Sequence, residues 1–306
     1  MKYIVLCGGG PNCFSQLVMI KTLMDKDIIQ YDKIEKIYGT SGGTIMGAFI
    51  ALKLPLDEII EYIIERPWNK MIKFDMDSLF NFNEKKGFYD YELFYKILSP
   101  IFSSNDIPID ITLNDVYNLT KIELRLMTTE LDSFDIVELS YITHPNLKLI
   151  DAITMSCSFT PMFSPFIYDN KYYVDGGFIN TYPIDIMMRD IIDDEHHLII
   201  GINIRKIKNQ IQEIKKNINE MNSIEFIQHI ITKSLNKIKK INIQPIKYDL
   251  YYDADHLMCD YELFTLFIND INYRKSMKER SILIANDYLN SLFKNMFNVE
   301  NNGLAS

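Results

Sequence analysis

A single serine, Ser41, stands among glycines in the segment Gly39-Thr40-Ser41-Gly42-Gly43, which matches the pattern G-x-S-x-G. The segment follows a short strand-like run and precedes residues 44–52, which are apolar on nearly every side, as in a buried helix. A serine on a sharp strand-to-helix turn can present its hydroxyl as a nucleophile, and flanking glycines let neighbouring backbone approach closely. The alternative is a helix N-cap serine with glycines that serve packing.

Three consecutive glycines, Gly8, Gly9 and Gly10, come directly after the first strand-like run. Backbone N–H groups in such a loop can converge on one point and stabilise an oxyanion, where the loss of one donor costs about 10²–10³ in rate. A structural turn, a dinucleotide-binding loop and a P-loop are the alternatives. Cys13 occupies the last glycine position of G-x-G-x-x-G, and the Gly-Lys-Ser/Thr of a P-loop is missing.

A carboxylate, Asp175, ends another predicted strand and is followed by Gly176 and Gly177. An Asp on a tight turn of this kind is well placed to accept a proton, although a plain turn Asp has the same sequence pattern. The histidines lie outside glycine-rich or turn-defined settings, so a Ser-His-Asp triad has little support; they are His144, His196, His197, His229 and His256.

Composition excludes several classes of protein. The net charge of −9 over 306 residues argues against general nucleic-acid binding. The four cysteines form no C-x-x-C pair and have no histidine at ligand spacing, so we expect no metal, no cofactor and no disulfide framework. The first ten residues are too short for a signal-peptide core, and no apolar run approaches the roughly 18 residues of a membrane span. We therefore expect an intracellular protein, either soluble or peripherally attached to a membrane.

The hydrophobic pattern predicts a β-α-β-α order over the first 55 residues, and hence parallel strands joined by a right-handed crossover. Residues 56–120 read as helices and loops with stops near Pro67, Gly87 and Pro100. The rest predicts an exposed pair of strands at 122–130 and 134–139, a helix at 147–157, a hairpin at 166–174, a buried strand at 197–204, and mainly helix from 206 onward with an extended piece near 248–252.

The order of these motifs resembles the patatin-like phospholipase family over roughly residues 1–205. A glycine loop follows the first strand, G-x-S-x-G comes some thirty residues later, and Asp-Gly-Gly lies well downstream. Residues 152–165, AITMSCSFTPMFSP, are similar to the family's segment of small residues, proline, an aromatic and a second proline. Residues 172–183, YYVDGGFINTYP, are similar to its strand, Asp-Gly-Gly and later proline.

The resemblance implies a three-layer α/β/α sandwich with a mostly parallel central sheet in residues 1–205. Residues 206–306 would form a mainly helical extension packed on it. The resemblance also implies a Ser–Asp dyad without histidine, with Ser41 as nucleophile and Asp175 as proton acceptor. Gly8, Gly9 and Gly10 would supply the oxyanion hole. The remaining motif glycines are Gly39, Gly43, Gly176 and Gly177.

Family members hydrolyse ester bonds of phospholipids, galactolipids or neutral lipids, so the resemblance implies a lipid acyl hydrolase of phospholipase A or lipase type. The reaction would pass through an acyl-enzyme. The first alternative is a catalytically impaired, lipid-binding pseudo-enzyme, because Asn12 and Cys13 stand where the family often has a basic residue and glycine. A nucleotide-binding α/β domain is a more distant alternative, against which Ser41 and Asp175 argue.

A basic segment, residues 205–247, carries ten Lys and Arg against three Glu in this otherwise acidic chain. It contains an apolar stripe at helical spacing, with lysines around its end; the stripe is Ile224, Ile227, Ile230, Ile231, Leu235 and Ile238, and the lysines are Lys233, Lys237, Lys239 and Lys240. The pattern fits a core-packing helix with a solvated lysine face. It also fits a helix that contacts an anionic membrane surface and brings the protein to its lipid substrate.

Overall fold

The computed structural model describes residues 1–73, 82, 84–206, 226–227, 230–231, 245–254 and 261–303. Most of the basic segment 205–247 lies outside the described residues. Of the predicted apolar stripe, Ile224, Leu235 and Ile238 lie outside the described residues, as do the four lysines around its end. His229, His256 and Cys259 also lie outside the described residues.

A central sheet organises the described part of the chain. Its strands are β1 (Tyr3–Leu6), β2 (Lys36–Thr40), β3 (Glu123–Glu130), β4 (Ile136–Leu139), β5 (Phe166–Tyr168), β6 (Lys171–Asp175), β7 (Ile199–Lys206) and β8 (Tyr248–Ala254). The order across the sheet is β5-β6-β3-β2-β1-β7-β8, and β4 pairs with β3. Strands β1, β2, β3, β7 and β8 are parallel, whereas β4, β5 and β6 join antiparallel at one side.

Helices connect the strands and cover the sheet. They are α1 (Cys13–Met24), α2 (Gly42–Ala51), α3 (Leu56–Glu65), α4 (Trp68–Met71), α5 (Tyr91–Ser104), α6 (Leu113–Thr120), α7 (Leu149–Cys157), α8 (Ile184–Asp190), α9 (Tyr261–Asn269) and α10 (Ile271–Gly303). Short 3-10 turns lie at Gly10–Asn12, Tyr31–Lys33, Gly176–Phe178 and Asp193–Leu198.

Alternation along the first strand separates two hydrophobic cores. Ile4 and Leu6 point into the larger core with residues of α1, α2, α3, α5 and α7, while Tyr3 and Val5 point into a second core with residues of α8. Successive side chains of a strand face opposite sides of a sheet, so helices cover both faces. The predicted three-layer architecture with a mostly parallel sheet is confirmed, as is the β-α-β-α order of the first 55 residues.

The prediction that residues 122–130 form an exposed strand is wrong. Strand β3 lies inside the sheet, between β2 and β6, and most of its side chains are buried. Its alternation in sequence, ELRLMTTE, arises because one face buries leucines and the other buries polar side chains that have partners. On this second face Thr129, for example, donates its hydroxyl to the carbonyl of Asp175. Alternation therefore indicated a strand here, but not its exposure.

The predicted helix stop at Pro100 is also wrong, because α5 continues to Ser104. A proline inside a helix removes the N–H that would bond to the carbonyl four residues earlier. That carbonyl, on Lys96, instead accepts a hydrogen bond from the guanidinium of Arg66 at 3.2 Å. A side chain from another element thus replaces the lost helical bond, and the sequence around Pro100 carries no sign of it.

The predicted division at residue 205 does not coincide with a break in the sheet. Strand β8, which lies within the segment 206–306, pairs in parallel with β7 from Ile200↔Tyr248 to Lys206↔Ala254. The C-terminal segment therefore adds an edge strand to the central sheet before it forms α9 and α10. The extended piece predicted near 248–252 corresponds to this strand.

Candidate active site

Ser41 lies between the last residue of β2 and the first residue of α2, and its backbone is strained. Its φ of 54° and ψ of −131° are unusual for a residue with a side chain. Close packing of backbone around the turn holds it there: a Cβ added to Gly43 would lie 2.5 Å from the carbonyl oxygen of Cys7. The residue as a whole is 5% exposed. This geometry is that of a nucleophile elbow rather than of an ordinary N-cap serine, since the hydroxyl does not cap α2.

Asp175 meets Ser41 across 134 positions of sequence. The Ser41 hydroxyl donates to Oδ2 of Asp175 at 2.6 Å, and the Gly177 N–H donates to Oδ1 at 2.7 Å. Sheet register explains the meeting: Thr40 at the end of β2 pairs with Met127 of β3, and Thr128 pairs with Asp175 of β6. Asp175 is fully buried, so one of its oxygens is fixed by a main-chain donor while the other faces the serine.

Ser156 contacts the Ser41 elbow, although the sequence analysis did not single it out as a candidate site residue. Its Oγ accepts the Ser41 N–H at 3.0 Å and donates to the Met127 carbonyl at 2.6 Å. Because its proton is used in that bond, the Thr44 hydroxyl at 2.8 Å is the donor to Ser156. This buried serine in α7 therefore ties the elbow to β3. Its position in the run of small residues 152–158 was the available signal.

The glycine loop lies beside the elbow, but its three glycines are not equivalent. The Gly8 N–H donates to the Thr181 carbonyl at 2.7 Å, so this predicted oxyanion donor is used within the fold. Gly10 has a φ of 55° and lines the cavity at Ser41. Gly8 has a second role, since a Cβ there would lie 3.1 Å from the Cβ of Ser41. Gly9 and Gly10 remain the predicted donors for an oxyanion.

The loop that follows Asp175 is hydrogen-bonded both to the glycine loop and to the end of β2, just before Ser41. Besides the Gly8 bond to Thr181, the Thr40 hydroxyl donates to the Asn180 carbonyl at 3.0 Å. Gly176 must be a glycine, because a Cβ there would lie 2.3 Å from the Met127 carbonyl oxygen. The Asp-Gly-Gly turn, the elbow and the glycine loop therefore form one rigid constellation at the carboxyl ends of β1 and β2.

An apolar cavity of about 200 Å³ opens beside Ser41. Nearly all its walls are hydrophobic side chains from several helices, among them Phe14 of α1, Phe49 of α2 and Phe94 of α5. Residues of α9 also contribute to the wall. Apolar walls next to a hydroxyl and main-chain N–H groups suit an alkyl chain that ends in a polar carbonyl.

Three buried cysteines, Cys7, Cys13 and Cys157, lie around the site in the thiol form. Burial, and secondarily the nearby charge of Asp175, raises the pKa of Cys157 well above its usual value. Burial likewise raises the pKa of Cys13. Both thiols therefore stay protonated and are poor nucleophiles next to the serine.

Histidines in the described part of the chain lie apart from Ser41 and Asp175. His144 contacts the Thr143 hydroxyl, and His196 contacts the carbonyls of Met188 and Ile191. Within the same residues, no cluster of three or more His, Cys, Asp or Glu is arranged to hold a metal ion. The Asp175 carboxylate, which accepts the hydrogen bond from Ser41, is thus the candidate base for that hydroxyl.

The sheet, the strained serine elbow at its carboxyl end and the aspartate bonded to that serine define a class of α/β proteins with a Ser–Asp site. The model of the family described as patatin-like phospholipase matches residues 4–188, which is more than half of the chain. The chain belongs to the patatin-like phospholipase family.

Comparisons with individual proteins agree with this family assignment. The chain is 24% identical over 190 residues to a protein named probable lipid hydrolase 463L of Invertebrate iridescent virus 6, covering 61% of this chain and 63% of that protein. It is 26% identical over 202 residues to the uncharacterized protein R571 of Acanthamoeba polyphaga mimivirus, covering 66% and 65%. The chain thus matches less than two thirds of the length of either relative.

The crystal structure of VipD from Legionella pneumophila has a similar fold. It superposes with a TM-score of 0.52 over 94% of this chain and 67% of that chain, at 13% sequence identity. At this identity the likeness concerns the fold alone. In the part of this chain that the structure describes, no helix combines the length and the hydrophobicity needed to span a bilayer.

Proposed function

We propose that this protein is a lipid acyl hydrolase in which Ser41 is the nucleophile and Asp175 its general base. The observation that carries the proposal is the 2.6 Å hydrogen bond from the Ser41 hydroxyl to the Asp175 carboxylate, inside a site that holds both groups rigidly. A nucleophile within hydrogen-bond reach of its base, with the base oriented by a third group, is the general arrangement for covalent catalysis. Here the orienting group is the Gly177 N–H.

In the first half-reaction, Ser41 Oγ attacks the ester carbonyl carbon while its proton moves to Oδ2 of Asp175. The carbonyl oxygen becomes an oxyanion, which the N–H groups of Gly9 and Gly10 stabilise together with the positive N-terminal end of α2. Collapse of the tetrahedral intermediate breaks the ester C–O bond. The departing alcohol takes the proton from Asp175, and the acyl group remains on Ser41.

In the second half-reaction, water replaces the alcohol. Asp175 accepts a proton from the water as it attacks the acyl-enzyme, and then returns this proton to Ser41 Oγ when the fatty acid leaves. The strained backbone at Ser41 supports both steps, because it holds the hydroxyl at the tip of the turn, bonded to Asp175 and beside the cavity. The full cycle needs water and the ester as its reactants.

The substrate class follows from the cavity. An acyl chain would lie against its aromatic and aliphatic walls, with the ester carbonyl at Ser41 and Gly10. Removing such a chain from water contributes about 0.8 kcal/mol per buried methylene group, which favours lipid esters over small hydrophilic ones. The basic segment 205–247 remains a predicted contact with an anionic lipid surface.

Labelling with a fluorophosphonate probe tests this proposal directly. We expect the wild-type protein to be labelled and to hydrolyse p-nitrophenyl butyrate, and Ser41→Ala to lose both properties. Ser15→Ala is the matched control. Ser15 is also a fully buried serine, and its hydroxyl has no hydrogen-bond partner in the described part of the chain. This control should keep both properties.

Two outcomes would contradict the proposal. Labelling and hydrolysis that persist in folded Ser41→Ala would remove Ser41 from the mechanism. A folded wild-type protein that binds fatty acids, yet neither reacts with the probe nor hydrolyses esters, would instead support the lipid-binding pseudo-enzyme. Circular dichroism of every variant separates these results from misfolding.

A further inference from the structure

Part of the catalytic cavity is built by the C-terminal segment, beyond the residues that match the family. Phe264, Phe267 and Ile268 of α9 line the cavity together with Ser41. The family match ends at residue 188, some seventy residues before α9 begins. The wall that these three side chains form therefore lies outside the residues that match the family model.

Phe267 is the central member of this wall. Its ring packs edge-on against Phe14 at 6.3 Å between centroids, and it lies 6.5 Å from the ring of Trp68. Phe14 and Trp68 also line the cavity, so the three aromatic rings form a continuous surface contributed by α1, α4 and α9. Phe267 is half-buried rather than sealed in the core, as expected for a side chain that borders an open cavity.

A buried arginine holds α9 against the catalytic fold. Arg274, near the start of α10, is 3% exposed. Its guanidinium donates to the Ile64 carbonyl at 2.8 Å and the Phe267 carbonyl at 2.5 Å. Longer bonds of 3.4 Å reach the carbonyls of Arg66 and Ile268.

These four acceptors lie at the carboxyl ends of α3 and α9. The last carbonyls of a helix lack partners within the helix and carry its negative dipole end, so one guanidinium caps both helices at once. The same cation lies 6.0 Å from the centre of the Phe267 ring. Arg274 therefore fixes the distance between α3, which borders the cavity, and the segment that presents Phe267.

We propose that α9 is the acyl-chain selectivity element of this protein, with Phe267 as the specificity-determining residue and Arg274 as the positioning residue. The inference rests on the proposed hydrolase function, which supplies the acyl chain. Phe267 limits the room available beside Trp68 and Phe14, and thereby sets the length of acyl chain that the cavity accepts. The residues that match the family model supply the chemistry, and α9, which follows them in the chain, supplies the selection.

The experiment compares kcat/KM for p-nitrophenyl laurate with kcat/KM for p-nitrophenyl butyrate. We expect Phe267→Ala to raise the laurate-to-butyrate ratio by about 10-fold or more, since a single methylene in an apolar pocket is worth about 10- to 200-fold. Phe267→Leu, a milder change if the alanine variant folds poorly, should raise the ratio by less. An unchanged ratio in both folded variants overturns the role of Phe267.

The positioning role of Arg274 has its own test. Arg274→Met removes the guanidinium donor from the carbonyls of Ile64, Phe267 and Ile268, while the Arg66 carbonyl keeps its bond from the Trp68 N–H. We expect α9 to shift and the laurate-to-butyrate ratio to change. Arg274→Lys, which keeps the charge and some donors, should restore part of the wild-type ratio. Leu289→Ala is the matched control, because Leu289 is buried in the same helix and does not line the cavity. It should lower the melting temperature and leave the ratio unchanged.

If Arg274→Met and Leu289→Ala lower the melting temperature alike and neither alters the ratio, Arg274 is a structural residue and its positioning role is overturned. Binding measurements keep the two proposals separate. In the Ser41→Ala background, displacement of a fluorescent fatty acid by decanoate and by palmitate reports on the wall without catalysis. A Phe267→Ala shift toward palmitate there supports the selectivity element even if the wild-type protein hydrolyses no ester, and no shift counts against it.

Discussion

Two groups of buried or largely buried carboxylates lie along strand β3, and their hydrogen-bonding and ionic partners differ. Asp175, opposite Thr128, accepts hydrogen bonds from neutral donors, the Ser41 hydroxyl and the Gly177 N–H. The other group surrounds Arg125, whose guanidinium lies 2.5–2.7 Å from carboxylate oxygens of Glu123, Glu138 and Asp190. We call this second group the Arg125 cluster.

The partners decide what each carboxylate can do. Burial alone would raise the pKa of Asp190, yet hydrogen bonds from Arg189 and Tyr38 and the charges of Arg125 and Arg189 hold that pKa below its usual range. A carboxylate stabilised in this way is a poor proton acceptor and serves as a structural tie. Asp175, aimed at a hydroxyl, is placed to take a proton. Variants at the two sites should therefore separate activity from stability.

The largest effect should follow Asp175→Asn. An amide keeps the shape of the side chain but cannot accept the Ser41 proton, so we expect kcat/KM for p-nitrophenyl butyrate to fall by about 10³- to 10⁴-fold. The melting temperature should change little by comparison. Asp190→Asn is the control from the Arg125 cluster and should keep ester hydrolysis within about twofold. Equal losses of activity in the two variants would remove the distinction between the sites.

Arg125→Met should have the opposite effect to Asp175→Asn, with a large loss of stability and little loss of activity. The variant leaves three neighbouring carboxylates without their shared cation, and breaking a buried ion pair typically costs 3–5 kcal/mol in the free energy of unfolding. Partial solvent access at Arg125, whose side chain is 15% exposed, places our expectation at about 2–3 kcal/mol. Urea unfolding measures this loss. The folded fraction should hydrolyse ester at the wild-type rate per active site, and a selective loss of kcat would show that the cluster serves catalysis.

A smaller effect is expected from comparing Ser41→Gly with Ser41→Ala. Both variants lose the hydroxyl, so they differ mainly in the backbone strain at a φ of 54°. Glycine adopts this conformation freely, and residues held in such regions cost about 1–3 kcal/mol. We expect the free energy of unfolding of the glycine variant to be about 1 kcal/mol higher, and urea unfolding measures this difference. A glycine variant no more stable than the alanine variant would mean that the elbow is not strained.

The smallest expected effect is on the free energy of unfolding at acidic pH. Because the folded-state pKa of Asp190 is lowered, its stabilising contribution is present above about pH 4, the ordinary range of an aspartate, and is lost as the pH falls through the lower folded value. Asp190→Asn should therefore lose less stability than the wild type between about pH 5 and pH 3. Solvent screening keeps this difference below about 1 kcal/mol. Parallel pH dependences in urea unfolding would contradict the assigned sign.

Much of the local structure could be predicted from sequence because short-range patterns determine it. The glycines around Ser41 and the apolar residues that follow indicated the strand, turn and helix that the structure has at residues 36–51. The predictions failed where a distant group supplied a partner. Lys96 lost its helical bond to Pro100 and gained one from Arg66, and Gly8 gave its N–H to Thr181. Hydrogen-bond partners of this kind have no signature in the local sequence.

The sequence by itself determined the candidate residues, since a serine between glycines, a glycine loop and an Asp-Gly-Gly turn each state their local geometry. Tertiary structure alone decided which of them meet. Asp175 reaches Ser41 through the register of β2, β3 and β6, and Ser156 joins them from α7. It also decided that Phe267, more than two hundred residues from Ser41, borders the same cavity. Neighbours in sequence favour a local backbone conformation, whereas a cavity wall depends on packing between elements that are distant in the sequence.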